Sequence, residues 1–390
     1  MPIFYPAVHY GGPIYSVLNL CLNLRSLGCD IRVLTTDANG QTRLTKEQQA
    51  DPILQTLNVD FSPCVSGMFA PALIGKLPKQ IGWADVVHLT GVYNFPTFPT
   101  LLTARVQHKP LVWSPRGTLQ RWEGSRRVLY KSLWEATCRL LLPENIVLHV
   151  TSDEEASESS PRMGNKPCSC IPNAVAIPDV APPHVSDGLL KLLFIGRLDP
   201  KKGIENLIAA VSQLSRKGFT EWRLRVAGNG DSKYESSLRA LVAEAGLQSK
   251  IEFIGHVDNA KKYDAFAWAD VVVAPSFTEN FGIVVAEALA HARPVIASRG
   301  MPWNQVEERQ CGAWIPNDPE SLAAGIEDAR SWDRDAMGRR GRAWMSESFS
   351  WRGRAQDMLN LYEQMLSGAG ALRRSSHPIP TGQQGPSKCL

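Results

Sequence analysis

Val271-Val-Val-Ala-Pro275-Ser-Phe-Thr-Glu279-Asn-Phe281-Gly282-Ile283-Val-Val-Ala-Glu287-Ala-Leu289 is the stretch whose reading decides the fold. Val271–Pro275 is a valine-rich run of strand length. A short loop carries Glu279, and the apolar segment Gly282–Ala292 reads as a helix. Strand, brief loop and helix in succession make the unit of a parallel α/β sheet, whose ligands sit beyond the carboxyl ends of the strands. Glu287 lies about one and a half turns inside the helix. One carboxylate therefore faces the strand end, and the other reaches a ligand lying along the helix start. The N–H groups of Phe281, Gly282 and Ile283 are unpaired helix donors suited to sugar hydroxyls or phosphate. Spacing alone also fits a solvated Glu279. Glu287, flanked by Val284, Val285, Ala286, Ala288 and Leu289, calls for a bound partner.

The alternation continues outward. Strands are expected at Leu189–Ile195, Trp222–Ala227, Ile251–Ile254 and Pro294–Ser298. Helices are expected at Gly203–Arg216, Tyr234–Ala245, Lys261–Ala267, Pro319–Ala329 and Ser350–Leu366. Upstream, Gly12–Leu27 reads as a helix, with strands at Asp30–Thr35, Asp85–Leu89, Pro110–Ser114 and Ile146–Thr151. The Pro-rich Ile177–His184 reads as a linker. A single core rarely exceeds ~250–300 residues, so 390 residues divide in two. We expect one domain over 1–178, a second over 186–349, a terminal helix over 350–366 and a disordered Gly-, Ser- and Pro-rich tail over 367–390.

A second constellation, Phe194-Ile-Gly196-Arg197-Leu-Asp-Pro-Lys201-Lys202-Gly203, also joins a strand to a helix. Arg197 offers a planar fork and Lys202 a mobile point charge, a pair able to clamp a diphosphate. The order of a Walker loop is absent. Gly228-Asn-Gly230 and Gly11-Gly12 are weaker signals, each compatible with an ordinary turn. His88 and Arg116 follow strands and are candidates for sugar or acceptor contact.

Composition narrows the class. Hydrophobic content of 44%, charged content of 21% and a net charge of +4 describe a globular chain with no global case for nucleic-acid binding. The eight cysteines form no C-x-x-C pairs, and no metal site is expected. No basic segment followed by an apolar one opens the sequence, so no signal peptide is expected, and no uninterrupted apolar run reaches the ~20 residues that span a bilayer. The expected location is cytoplasmic.

Gly196-Arg-Leu-x-x-x-Lys202-Gly203, Gly228-x-Gly230, Phe253-x-Gly255 and Glu279-x7-Glu287 occur in the order and spacing of glycosyltransferase family 4. The likeness runs from Tyr5-Pro-Ala-x-x-x-Gly11-Gly12 through Ser114-Pro-Arg-Gly117, Ile171-Pro-Asn173 and Pro302-Trp303 to Trp351, and the chain resembles bacterial members that build surface polysaccharides. The resemblance implies a GT-B fold: two Rossmann-like domains facing across a cleft, acceptor-side first and nucleotide-side second, with the terminal helix crossing back onto the first. It further implies a retaining transfer from a nucleotide-diphosphate sugar to a glycan or lipid-linked acceptor. Arg197 and Lys202 would hold the diphosphate, Glu287 the ribose and Glu279 the transferred sugar, with Gly228 beside the donor and the Gly11-Gly12 loop closing over the diphosphate. No metal is needed where two cations neutralise the leaving group. Many relatives carry histidine where this chain has Arg116, and their Ile-Pro-Asn-Gly-Val-Asp appears here as Ile171-Pro-Asn-Ala-Val-Ala176. A full strand is implied before Tyr5, where this sequence shows Met1-Pro-Ile-Phe4.

Three other readings compete. A sugar-nucleotide epimerase would need acid/base residues around the sugar C2 atom. A dinucleotide oxidoreductase would need G-x-G-x-x-G, which is absent. A non-catalytic scaffold of a polysaccharide assembly complex is disfavoured by intact Arg197, Lys202, Glu279 and Glu287. Finally, Leu119–Leu142 carries Arg121, Arg126, Arg127, Lys131 and Arg139, interleaved with Trp122, Leu129, Leu133, Trp134 and Leu140. It reads either as a helix docking peripherally on an anionic membrane at its inner face or as one packing its Leu/Trp side on the core.

Overall fold

The computed structural model describes residues 1–7, 12–120, 128–183, 187–257 and 259–367. Gly11, Arg121, Trp122, Arg126, Arg127 and the tail from residue 368 lie outside them. The chain forms two compact units, Met1–Ala174 together with the chain from Trp351, and Val175–Ser350.

In the first unit, α1 (Gly12–Ser26) precedes β1 (Val33–Thr36) and β2 (Val59–Ser62). Then come α2 (Pro71–Trp83), β3 (Val87–Thr90), α3 (Thr97–Val106), β4 (Leu111–Ser114), α4 (Val128–Leu141), β5 (Ile146–Val150), α5 (Asp153–Arg162) and β6 (Cys168–Cys170). These strands make two parallel sheets, a β1–β2 pair and a β3-β4-β5-β6 quartet. The full strand that the resemblance implies before Tyr5 is not formed by residues 1–4, as the short Met1-Pro-Ile-Phe4 segment suggests. Instead the Met1 amino group donates to Leu34 O at 3.0 Å, and Thr36 Oγ1 donates to Pro2 O at 2.6 Å. Of the elements not separately expected, α2 is obscured in sequence by an internal Pro78 and by Gly75. The strands β2 and β6 are short, with partly exposed residues that blur their pattern.

The second unit comprises β7 (Leu190–Ile195), α6 (Ile204–Arg216), β8 (Trp222–Ala227), α7 (Ser232–Glu244), β9 (Ile251–Gly255) and α8 (Asn259–Trp268). It continues with β10 (Val271–Ala274), α9 (Ile283–Ala290), β11 (Val295–Ser298), β12 (Gly312–Ile315), α10 (Pro319–Asp328) and α11 (Arg334–Ser348). All six strands are parallel, in the order β9-β8-β7-β10-β11-β12. With the first strand central and the order reversing beside it, this is the doubly wound arrangement. Central strands in such a sheet are covered on both faces, so β10 reads as an unbroken apolar run, whereas β8 alternates its apolar residues with half-buried Arg223 and Arg225. Leu192, Phe194, Leu224, Val226, Val271 and Val273 are buried in one core with Ile204, Leu207 and Val211 of α6.

Residues 178–183, within the expected linker, are held in this unit. Arg342 donates to Pro178 O, and Arg293 donates to Pro182 O at 3.1 Å and Pro183 O at 2.9 Å. Val175 N donates to Phe349 O at 2.9 Å. The terminal helix α12 (Trp351–Leu366) belongs to the first unit, where Ala355, Met358, Leu361 and Met365 pack with Leu20 and Leu24 of α1.

Candidate functional site

In the second unit the β7, β8, β9 and β10 loops gather at the carboxyl ends of the strands. Gly196 N donates to Ala227 O at 3.0 Å, Leu198 N to Asn229 O at 2.9 Å and Gly228 N to Gly255 O at 2.7 Å. Gly228 is indispensable to this contact: at φ +139 a β-carbon there would lie 1.7 Å from Gly196 O. Gly282 caps α9 in the left-handed conformation, with φ +74. A β-carbon on it would sit 2.3 Å from the Met301 side chain. Phe281 is buried against Trp303, ring centres 5.2 Å apart.

Two ion pairs occupy this end of the sheet. Glu279 is held by Lys202 and accepts from Ser276 Oγ at 3.0 Å, while its own N–H donates to Gly300 O at 2.9 Å. Glu287 is paired with Lys262 of α8 at 2.5 Å. The partner that Glu287 required is thus a protein cation, one not singled out in the sequence although its helix follows β9 directly. Arg197 is exposed at the end of β7, with no carboxylate in ion-pair range among the described residues. Lys201 is a third cation here. Burial pushes its ammonium below its ordinary pKa; Glu279 opposes that, and Lys202 and Arg197 add to it. Arg197, Lys202 and Glu279 therefore share one locus, with Glu287 at its own pair along α9. Ile283 opens α9, and its N–H lies in the first helical turn.

His88 and Arg116 lie in the first unit, where both are tied up by neighbours. His149 Nε2 meets Ile171 O at 2.9 Å, and a carbonyl can only accept, so this nitrogen carries the hydrogen. In the neutral ring, which burial favours, its Nδ1 then accepts from Ser114 Oγ, 2.6 Å away. Ser114 in turn accepts from His88 Nε2 at 2.6 Å, and His88 Nδ1 accepts from Tyr362 OH at 2.6 Å. The carbonyl at one end fixes the direction of the whole chain, in which both imidazoles are neutral. Burial, with Arg116 adding, pushes His88 down to about 3 and His149 well below its ordinary value. Arg116, in the left-handed region at φ +56, donates to Asn173 Oδ1 at 2.5 Å. Neighbouring Gly117 N donates to the buried Glu155 at 2.5 Å. Gly12 opens α1, while its neighbour Gly11 lies outside the described residues.

Among the described residues no three His, Cys, Asp or Glu side chains gather as metal donors, and no helix is long and apolar enough to cross a membrane.

A family model described as Glycosyltransferase Family 4 matches residues 10–177, and one described as Glycosyl transferases group 1 matches residues 181–344. The chain is 33% identical over 376 residues to a phosphatidyl-myo-inositol mannosyltransferase of Mycolicibacterium smegmatis, covering 92% of each chain. It is 33% identical over 183 residues to the uncharacterized glycosyltransferase MJ1607 of Methanocaldococcus jannaschii, a match spanning 46% of each. Among solved structures, Anabaena Alr3699/HepE in complex with UDP and glucose superposes with a TM-score of 0.71 at 17% identity, covering 91% of this chain and 96% of that one.

Proposed function

The chain belongs to the group 1 glycosyltransferases, enzymes of GT-B fold with two Rossmann-like domains, and from that premise we propose that it is a retaining transferase using a nucleotide-diphosphate sugar. The observation carrying this reading is the convergence of Arg197, Lys202 and Glu279 at the carboxyl ends of the second unit's strands. UDP and glucose in the Anabaena structure, and the mannosyl transfer named for the mycobacterial relative, support a donor of this class with a hexosyl group.

Arg197 and Lys202 hold the diphosphate and neutralise charge as the bond from sugar C1 to phosphate breaks. The acceptor oxygen bonds to C1 on the face the phosphate leaves, and its proton passes to a leaving phosphate oxygen. Stereochemistry is retained without a protein nucleophile or a metal. Glu279 contacts the sugar and Glu287 the ribose hydroxyls. Because Lys202 rests on Glu279, an arriving diphosphate competes for the lysine and releases the carboxylate to the sugar. Likewise Lys262 makes way for the ribose at Glu287. The acceptor is a glycan or lipid-linked saccharide in surface polysaccharide synthesis, reached from the cytoplasmic side at the inner face of a membrane. Calorimetric titration with UDP-, GDP- and ADP-sugars, followed by anomeric analysis of the product, tests the reading. A product of inverted configuration, or no affinity for any nucleotide sugar, overturns it.

A further inference from the structure

Helices α2, α3 and α4 lie side by side in the first unit. Gln107, capping α3, donates to Pro78 O of α2 at 3.0 Å, and Arg105 of α3 donates to Leu140 O of α4. Phe98 of α3 stacks on Trp134 of α4 with ring centres 4.0 Å apart. The three helices carry Lys79, Arg105, Lys131 and Arg139, with Lys76 ion-paired to Asp60 of β2 at 2.6 Å, against a single carboxylate of their own, Glu135. Glu135 is buried and takes the Tyr93 hydroxyl. These helices therefore show solvent no carboxylate of their own.

Helix α4 also turns its leucines outward. Its inner side is set by Trp134, whose indole donates to Val92 O at 2.9 Å, and by buried Cys138. Leu129, Leu133 and Leu140 then fall on the opposite stripe, 88%, 69% and 72% exposed. Leu102 and Val106 extend the apolar surface across α3. The choice left open by the sequence is thus divided: the tryptophan packs inward and the leucines do not.

We propose that this α2–α4 face docks on a bilayer containing anionic lipid, an inference that rests on the membrane part of the function proposed above. Leucines entering the acyl boundary beside cations that meet phosphate headgroups satisfy both features at once. A second copy of the chain would satisfy only the leucines, because it would set like charges against one another.

The test is sedimentation of the full chain, without nucleotide, with vesicles of phosphatidylcholine alone or mixed with phosphatidylglycerol, at low and high salt. Binding is expected to require phosphatidylglycerol and to weaken in salt. A Leu129→Ser/Leu133→Ser/Leu140→Ser variant should bind about tenfold less, with its affinity for nucleotide unchanged. Lys79→Glu should also weaken binding at low salt. Absence of sedimentation with anionic vesicles at low salt, or equal binding to neutral ones, overturns the proposal. So does a wild-type dimer that the leucine variant turns into a monomer, which would give the face to a second copy. Vesicle binding by a chain with no affinity for nucleotide sugars would leave the docking standing and remove the donor reading alone.

Discussion

Among the described residues, six parallel strands of the second unit share one ladder, whereas those of the first unit divide into a pair and a quartet. The consequence is chemical as much as architectural. One continuous ladder brings the loops after β7, β8, β9 and β10 to a common edge, where glycines let backbones touch and where the charged side chains gather. The first unit instead ties its elements together through side chains. Tyr362 of α12, His88 of β3, Ser114 of β4 and His149 of β5 form one directed chain ending on Ile171. At this edge the second unit sets Arg197, Lys201 and Lys202 on exposed or half-buried loops, while the first buries His88 and His149 in their neutral forms.

The largest expected effect falls on the loops of the second unit. Arg197→Ala and Lys202→Ala should each lower turnover about 100-fold or more while leaving circular dichroism unchanged, since they remove charge stabilisation rather than core. Wild-type kcat in both variants would remove the distinction between a chemical and a structural unit.

Next come the two glutamates of the same edge. Glu287→Gln should weaken nucleotide binding by about tenfold with kcat little changed, because the ribose contact exists before and during reaction. Glu279→Gln should lower kcat with nucleotide affinity nearly retained. Equal losses of affinity in a calorimetric titration would show that the two ion pairs serve one role.

The buried imidazoles of the first unit predict its response to acid. Above the ordinary histidine pKa of ~6.5 they are neutral in both folded and unfolded chains and have no effect on stability. As pH falls below that value the unfolded chain takes up protons that the folded chain refuses, until the folded pKa of about 3 is reached at His88. Each histidine then removes about 1.4 kcal/mol of stability per pH unit. Burial also pushes His291 of the second unit down to about 4, giving that unit, among the described residues, a single such group against two. Between pH 6.5 and 5, His88→Gln/His149→Gln should flatten the dependence about twice as much as His291→Gln. Equal slopes in urea titrations would contradict the neutral chain.

The smallest effect is expected on the outer stripe of α4. Leu129→Ser, Leu133→Ser and Leu140→Ser should each change stability by no more than about 0.5 kcal/mol. Leu207→Ala, fully buried in the second unit, should cost about 2–5 kcal/mol. A comparable loss at Leu133 in thermal unfolding would mean that the stripe is core rather than surface.

Sequence alone determined what depends on neighbours along the chain. Trp222–Ala227 was legible to the residue, because apolar residues alternate there with Arg223 and Arg225 and the following Gly228-Asn-Gly230 marks a turn. The Glu279 loop and the α9 start were legible because strand, loop and helix succeed one another within twenty residues. Even the helical period of α4 could be read, together with its mixture of cations and leucines. Only the tertiary structure decided which groups meet across long separations. Glu287 finds Lys262, 25 positions away, and His88 finds Tyr362, 274 positions away. Only the fold, too, turned Trp134 inward and the leucines of α4 outward. Periodicity reports that a helix has two faces, but packing against Phe98 and Val92 selects which one is buried. The split of the first unit's sheet has the same origin, since strand pairing is a non-local contact that no local run of residues encodes.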